Sequence, residues 1–335
     1  QSTIINRINT LADFSAEVFI KKIKYIMRRL LLVLLGFVIF TDVQAQQDPH
    51  YTQYMYNMSV MNPAYAGSKE NLSMGLLYRK QWVEIEDAPT TATFFGHSAV
   101  GKNVGLGLSV ISDKIGPVEE NNVYGDFSYT INLGGEHKLA FGLKAGLTFH
   151  KVGLFSDIYN TLPQPNDPAF QENVDNTYFN IGSGFFYYTD KYYLGFSVPN
   201  MLKSKHLDIR QSGDEYEFGS ETSHYFLTGG YVFDLTENVK FKPFFMLKSA
   251  FSVPASLDLS TNFLFNEKFE IGATYRLDDS FGAMVNYAVL PNLRIGYAYD
   301  HIVSDLKVTT PSSHEIILLF DVNFSKKVSS SPRFF

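Results

Sequence analysis

Between Asn71 and Phe324 the chain alternates, residue by residue, between apolar and small or polar side chains. The segments that do so are about ten residues long, the length a tilted strand needs to cross a bilayer. After Gly134-Gly135, for example, Leu139, Phe141, Leu143, Ala145, Leu147 and Phe149 share one parity, while Ala140, Gly142, Lys144, Gly146, Thr148 and His150 share the other. Successive side chains of a strand point to opposite faces, so such a ribbon has one greasy wall and one wet wall. Repeated many times, the pattern suits a closed barrel with lipid outside and a polar lumen inside. A soluble aromatic-rich β-sandwich is the alternative on composition alone, since the chain holds 30 Phe and 21 Tyr.

Connection lengths separate the two. Fourteen strands are expected at 71–80, 91–99, 104–112, 120–132, 137–150, 178–189, 191–198, 223–234, 239–247, 255–265, 269–276, 280–289, 293–300 and 314–324. The joins alternate between short turns, such as Gly101-Lys102-Asn103 and Pro291-Asn292, and longer loops at 81–90, 113–119, 151–177, 199–222, 248–254 and 301–313. Asp278-Asp279 is the short exception. Bacterial barrels have short periplasmic turns, longer outer loops and an even strand count. A sandwich has no reason to alternate this way. The fold expected is therefore all-β: a transmembrane, antiparallel, up-and-down β-barrel of about 14 strands with an N-terminal plug segment. Residues 71–324 form the barrel and 325–335 a short periplasmic tail.

The first 45 residues read as an upstream extension plus a signal peptide. Arg28 and Arg29 precede the apolar run Leu30 to Phe40, and Val43-Gln44-Ala45 offers small side chains for cleavage after Ala45. Met27 reads as the initiator, with a long basic n-region as the alternative. Removing residues 1–45 takes six Lys/Arg and three Asp/Glu, leaving 22 basic and 31 acidic side chains and a net charge of −9. That balance argues against nucleic acid. The absence of cysteine excludes disulfides, thiolate metal sites and a lipid anchor on Cys.

Residues 46–70 do not follow the wall's rhythm. Tyr51, Tyr54, Met58 and Met61 recur at spacings of three and four, enough for one or two helical turns ending before Pro63. Asn62-Pro63 disfavours continuing the helix, and Ala66-Gly67 permits a tight reversal into the first strand. An ordered plug inside the lumen is the expectation, and an unstructured periplasmic arm the alternative. Trp82, just past the first strand, is expected at the outer interface.

The run Gln47-Asp48-Pro49…Gln53-Tyr54-Met55-Tyr56-Asn57…Asn62-Pro63-Ala64-Tyr65-Ala66-Gly67 resembles the N-terminal signature of the PorP/SprF family. Tyr78-Arg79-Lys80-Gln81-Trp82, Ala88-Pro89-Thr90 and Gly105-Leu106-Gly107-Leu108…Asp113-Lys114-Ile115-Gly116 are similar to later parts of that pattern. The resemblance implies an outer-membrane component of type IX secretion and gliding motility. Its partners would be the C-terminal domain of a secreted, adhesin-like cargo, other secretion components and, in one branch, a periplasmic peptidoglycan-binding subunit. Tyr54, Asn57, Asn62, Pro63, Ala64, Tyr65, Gly67, Arg79 and Trp82 are the residues that carry the motif. The rival is a FadL-like plugged barrel for hydrophobic small molecules, whose plug carries a tripeptide like Asn62-Pro63-Ala64.

Chemistry finds little support. The eight His show no spacing that pairs them as ligands or with a nucleophile. Asp278-Asp279 sits where a hairpin turn needs it. Pro163-Gln164-Pro165-Asn166-Asp167-Pro168 matches no calcium loop and reads as a Pro-stiffened segment. No enzyme activity, metal or cofactor is expected. Inner-parity Arg79, Lys144, Glu270, Arg276, Arg294 and Asp321 are expected to pair with one another or with the plug, with a charged pore as the alternative. Partner binding is expected on the loops 151–177 and 199–222.

Overall fold

The computed structural model describes residues 51–69, 71–153, 174–202, 205–211, 214–220, 223–250, 253–304 and 312–322. The signal segment, residues 46–50, most of the 151–177 loop with its run 163–168, and the tail 325–335 lie outside them.

Alternating segments become antiparallel neighbours in chain order. β1 (Leu72–Lys80), β2 (Thr90–Ala99), β3 (Val104–Ile115), β4 (Val118–Gly134), β5 (His137–Val152), β6 (Val174–Tyr188) and β7 (Tyr192–Val198) pair successively. A separate hairpin follows, β8 (Lys205–Gln211) with β9 (Asp214–Ser220). The wall resumes at β10 (His224–Tyr231) and β11 (Phe233–Thr236), then β12 (Val239–Ala250), β13 (Val253–Phe265), β14 (Phe269–Arg276), β15 (Ser280–Leu290), β16 (Leu293–Ile302) and β17 (Ser312–Val322). β10 and β11 are two halves of one crossing. Both pair with β12, up to Gly230↔Phe244 and again from Phe233↔Phe241. Between those pairs stands Pro243, which has no N–H to donate to the ladder, and there the Val232 N–H bonds the Lys191 carbonyl on the other side at 2.7 Å.

The ring closes where β1 meets β17, from Leu72↔Val322 to Lys80↔His314. Fourteen crossings thus form one closed antiparallel barrel without a free edge. Closure matters energetically, because no water is present in the hydrocarbon region to satisfy an open edge. Among the described residues no helix is long and apolar enough to cross a membrane.

Two expected loops are corrected. Strands β3 and β4 pair up to Ile115↔Val118, and β12 and β13 up to Ala250↔Val253, so 113–119 and 248–254 are mostly strand. Above the membrane both faces of a hairpin meet water, so the alternation that marks a strand fades although pairing continues. The 199–222 connection is also not a plain loop, since it carries the β8–β9 hairpin.

Burial is inside out relative to a soluble protein. Leu143, Phe141 and Leu147 of β5 are exposed, whereas Lys144, Thr148 and His150 are buried. Hydrocarbon covers the first set, and the second lines the lumen. Near the periplasmic ends, Tyr192, Tyr231, Phe233, Phe241 and Phe263 run ring to ring at centroid distances of 4.2–6.0 Å. They form part of an interfacial girdle.

Candidate functional site

The lumen is occupied by the chain itself. Residues 51–67 run through it as three short turns: a 3₁₀ turn at Tyr54–Tyr56, helix α1 (Met58–Met61) and a second 3₁₀ turn at Pro63–Tyr65. Asn62 separates the last two, in extended conformation because proline follows it. Its side-chain oxygen accepts from Ala64 N–H at 3.0 Å, the usual N-cap bond, and Pro63 occupies the first position of the turn. Gly67, at φ +71°, then reverses the chain toward β1.

Glycines on the inner parity of the wall make the seat. A Cβ added at Gly142 would lie 2.1 Å from the Ala64 nitrogen, and one at Gly105 2.1 Å from the Ala66 carbonyl oxygen. At Gly184 it would lie 2.4 Å from Asn62 Oδ1. At Gly142 and Gly105 no larger residue leaves the plug's backbone room, and at Gly184 it would crowd the Asn62 side chain. Hydrogen bonds hold the same stretch: Asn62 Nδ2 donates to the Phe185 carbonyl at 3.1 Å, and Ser197 Oγ to the Met61 carbonyl at 2.8 Å. Tyr65 packs edge-on against both His97 and Phe186, each at 5.2 Å between ring centres.

The other end of the segment is held by charge. Arg79 of β1 meets Asp300 of β16 at 2.8 Å and Glu315 of β17 at 3.2 Å, and its guanidinium also donates to Thr52 Oγ1 at 2.8 Å. Thr52 Oγ1 donates in turn to Asp300 at 2.6 Å. The two oxygens of Glu315 accept the backbone N–H groups of Thr52 and Gln53, both at 2.9 Å. Glu315 is wholly buried. A carboxylate taken from water is tolerated only when paired and hydrogen-bonded, and here both conditions are met.

A third anchor lies lower. The Tyr56 hydroxyl donates to Glu270, which also meets Lys242 at 3.1 Å, while Asn262 Nδ2 donates to Glu270 at 2.7 Å. Between the anchors, Tyr54, Met55 and Met58 are buried against Phe186, Tyr193 and Phe244.

The motif residues are thus gathered with one exception. Tyr54, Asn57, Asn62, Pro63, Ala64, Tyr65 and Gly67 lie in the lumen segment, and Arg79 reaches it from the wall. Trp82 stands apart, past the outer end of β1 at φ 47°, with its N–H on Ser313 Oγ at 3.3 Å. Of the other inner charges, Glu270 touches the segment. Lys144 pairs with Asp126 at 2.7 Å, Arg276 with Asp258 at 2.9 Å, and Asp321 accepts from Ser73. Sequence reasoning missed Glu315, Asp300 and Lys242 as anchors. The only signal available was a charged residue on the inner parity of an otherwise apolar strand, which does not say what it faces. Among the described residues, no group of three His, Asp or Glu side chains is placed to hold a metal.

A family model described as type IX secretion system membrane protein PorP/SprF matches residues 43–320. No curated protein matches the chain. Among solved structures it is similar to the CymD monoaromatic hydrocarbon channel, at 13% identity over 83% of this chain and 94% of that one, with a TM-score of 0.48. It is also similar to the P. putida toluene transporter TodX (11% identity, 81% and 95% covered, TM-score 0.46) and to Acinetobacter baumannii Omp33 (10%, 76% and 100%, 0.45). Such likenesses carry nothing about activity. The barrel is a protein of the bacterial outer membrane. With most of its length matched by that one family model, the chain belongs to the PorP/SprF family of type IX secretion system membrane proteins.

Proposed function

We propose that this barrel performs no chemistry and instead holds a protein: it binds the C-terminal domain of a secreted surface protein, adhesin-like in kind, and helps translocate or display it. The observation that supports this most is the filled lumen. A plug gripped by buried ion pairs on β1, β16 and β17 and by glycine contacts on β3, β5 and β6 suits a fixed scaffold. Binding surfaces on such scaffolds lie on the loops. The outer connections around 151–177 and 199–222 are the proposed dock, together with the 81–89 loop that holds Trp82. Other secretion components, including a peptidoglycan-binding subunit in the periplasm, are the further partners.

A photo-crosslinking residue placed at exposed Glu86, and at positions within the two longer loops, tests the reading. The expected product is an adduct with a large secreted protein, lost when that protein's C-terminal domain is deleted. Adducts with lipid alone from every position would contradict it.

A further inference from the structure

The lipid-facing wall is hollowed where β7, β10 and β12 lie side by side. Gly229 of β10 is the cross-strand partner of Leu194 on one side and of Phe245 on the other. It shares the outward parity of Tyr231 but has no side chain to offer, and Pro243, also outward, offers only a short ring. A Cβ added at Gly229 would lie 2.4 Å from Phe245 Cε1, and one at Gly230 2.4 Å from Phe244 Cδ1. Phe245 therefore packs on bare backbone from the lipid side and Phe244 from the lumen side. Beside them is an apolar groove of about 540 Å³, whose lining includes Gly229, Gly230, Pro243, Tyr192, Phe245 and Leu259. Its periplasmic end meets the aromatic girdle, since Tyr192 also stacks on Tyr231 at 5.8 Å. From Tyr192 a polar row runs sideways along the outer face. The Tyr192 and Tyr187 hydroxyl oxygens are 3.4 Å apart, and Tyr187 Oη is 2.7 Å from His137 Nδ1. All three stand within a few residues of the short turns 135–136 and 189–191.

We propose that this groove is a binding site for one phospholipid of the periplasmic leaflet. An acyl chain lies along the glycine pair and Phe245, and the ester or phosphate oxygens meet the row Tyr192, Tyr187 and His137. Hydrocarbon bathes the outward wall, and a hollow left empty would forfeit the contacts of its lining. The depths agree. Gly229 stands two residues above Tyr231, the partner of Tyr192, which is about 7 Å along the strand. A lipid anchored at the tyrosine hydroxyls thus passes the glycines with the first part of its tail. The donors agree as well. Three groups that can each donate share two hydrogen bonds, so whichever way the row is oriented one O–H or N–H is left for a lipid oxygen. Across the barrel, β17 fills the same face with the exposed side chains of Ile316, Leu318 and Phe320, which leave a lipid nothing to enter.

Photolabelling tests the site. The full chain is reconstituted in vesicles of phosphatidylethanolamine and phosphatidylglycerol that carry a trace of phosphatidylethanolamine with a diazirine in one acyl chain. After irradiation, peptide mass spectrometry locates the adducts. The expected result is an excess of label on 227–231 and 243–247 over 316–320. Leu259→Trp enlarges a side chain that already faces lipid, and Gly229→Leu fills the hollow from its centre; both should abolish the excess. Leu259→Trp leaves the packing of the wall alone, so it decides the matter even where Gly229→Leu does not fold. Tyr192→Phe keeps the ring and loses the hydroxyl, and should lower the excess without changing the label on 316–320. Equal labelling of the two faces overturns the site, and so does an excess that survives Leu259→Trp. An excess unchanged in Tyr192→Phe overturns the headgroup contact. A photo-reactive residue at Leu194 that joins two barrels in place of lipid would put a second copy in the groove and overturn the proposal.

Discussion

The backbone N–H of Thr52 donates to the Glu315 carboxylate at 2.9 Å, joining the start of the lumen segment to the last strand of the wall across 263 positions of sequence. Arg79 of the first strand holds the same carboxylate. One buried cluster therefore ties the plug to both strands of the seam that closes the barrel.

Removing the cation should show this. Arg79→Ala leaves Glu315 and Asp300 buried without their counter-charge, a change that typically costs about 3–5 kcal/mol. The expected outcome is a lower temperature for loss of the folded band on unboiled gels. Arg79→Lys should fall between, since a single ammonium cannot reproduce the forked contacts. An unchanged transition in Arg79→Ala would mean that the cluster does not support the fold.

The glycine seat gives a second test. Gly142→Val puts a branched side chain where the Ala64 nitrogen stands, and overpacking of this sort costs about 1–3 kcal/mol or more. Protease attack near Met58–Met61 should rise in membranes permeabilised from the periplasmic side. Gly101→Val, with nothing within 4 Å of its Cβ, is the control and should match the parent.

Thr52 and Asp300 should also be linkable. The double variant Thr52→Cys/Asp300→Cys replaces side chains whose oxygens are 2.6 Å apart. Mild oxidation should join them and change migration on denaturing gels without reductant, whereas Thr52→Cys/Lys268→Cys, the latter in an exposed periplasmic turn, should stay unlinked. Equal yields in the two would indicate a mobile segment.

Much of the wall was legible because a strand writes its environment locally. Leu143 out and Lys144 in follow from parity alone, and turns such as Gly134-Gly135, both at positive φ, announce themselves by residue type. Strand ends above the membrane were not legible, as β3 and β4 show, because water on both faces removes the alternation. Asn62-Pro63 was legible as the end of a helical stretch and Gly67 as a reversal for the same local reasons, whereas the capping role of Asn62 on the Pro63–Tyr65 turn was not. Their seat was not: Gly142, Gly184 and Gly105 face Ala64, Asn62 and Ala66 only once the barrel closes, and a glycine on the inner parity looks the same whether it admits a plug, a solute or nothing. Glu315 is the clearest case, since its partners lie at Thr52, Gln53 and Arg79.

The most direct test of the docking function is the surface proteome of a strain lacking this barrel, compared with its parent and with a strain complemented by the intact gene. The account predicts that one or a few large secreted proteins disappear from the surface and return on complementation, with uptake of hydrophobic solutes unchanged. An intact surface proteome together with impaired uptake of such solutes would contradict it and favour a transporter.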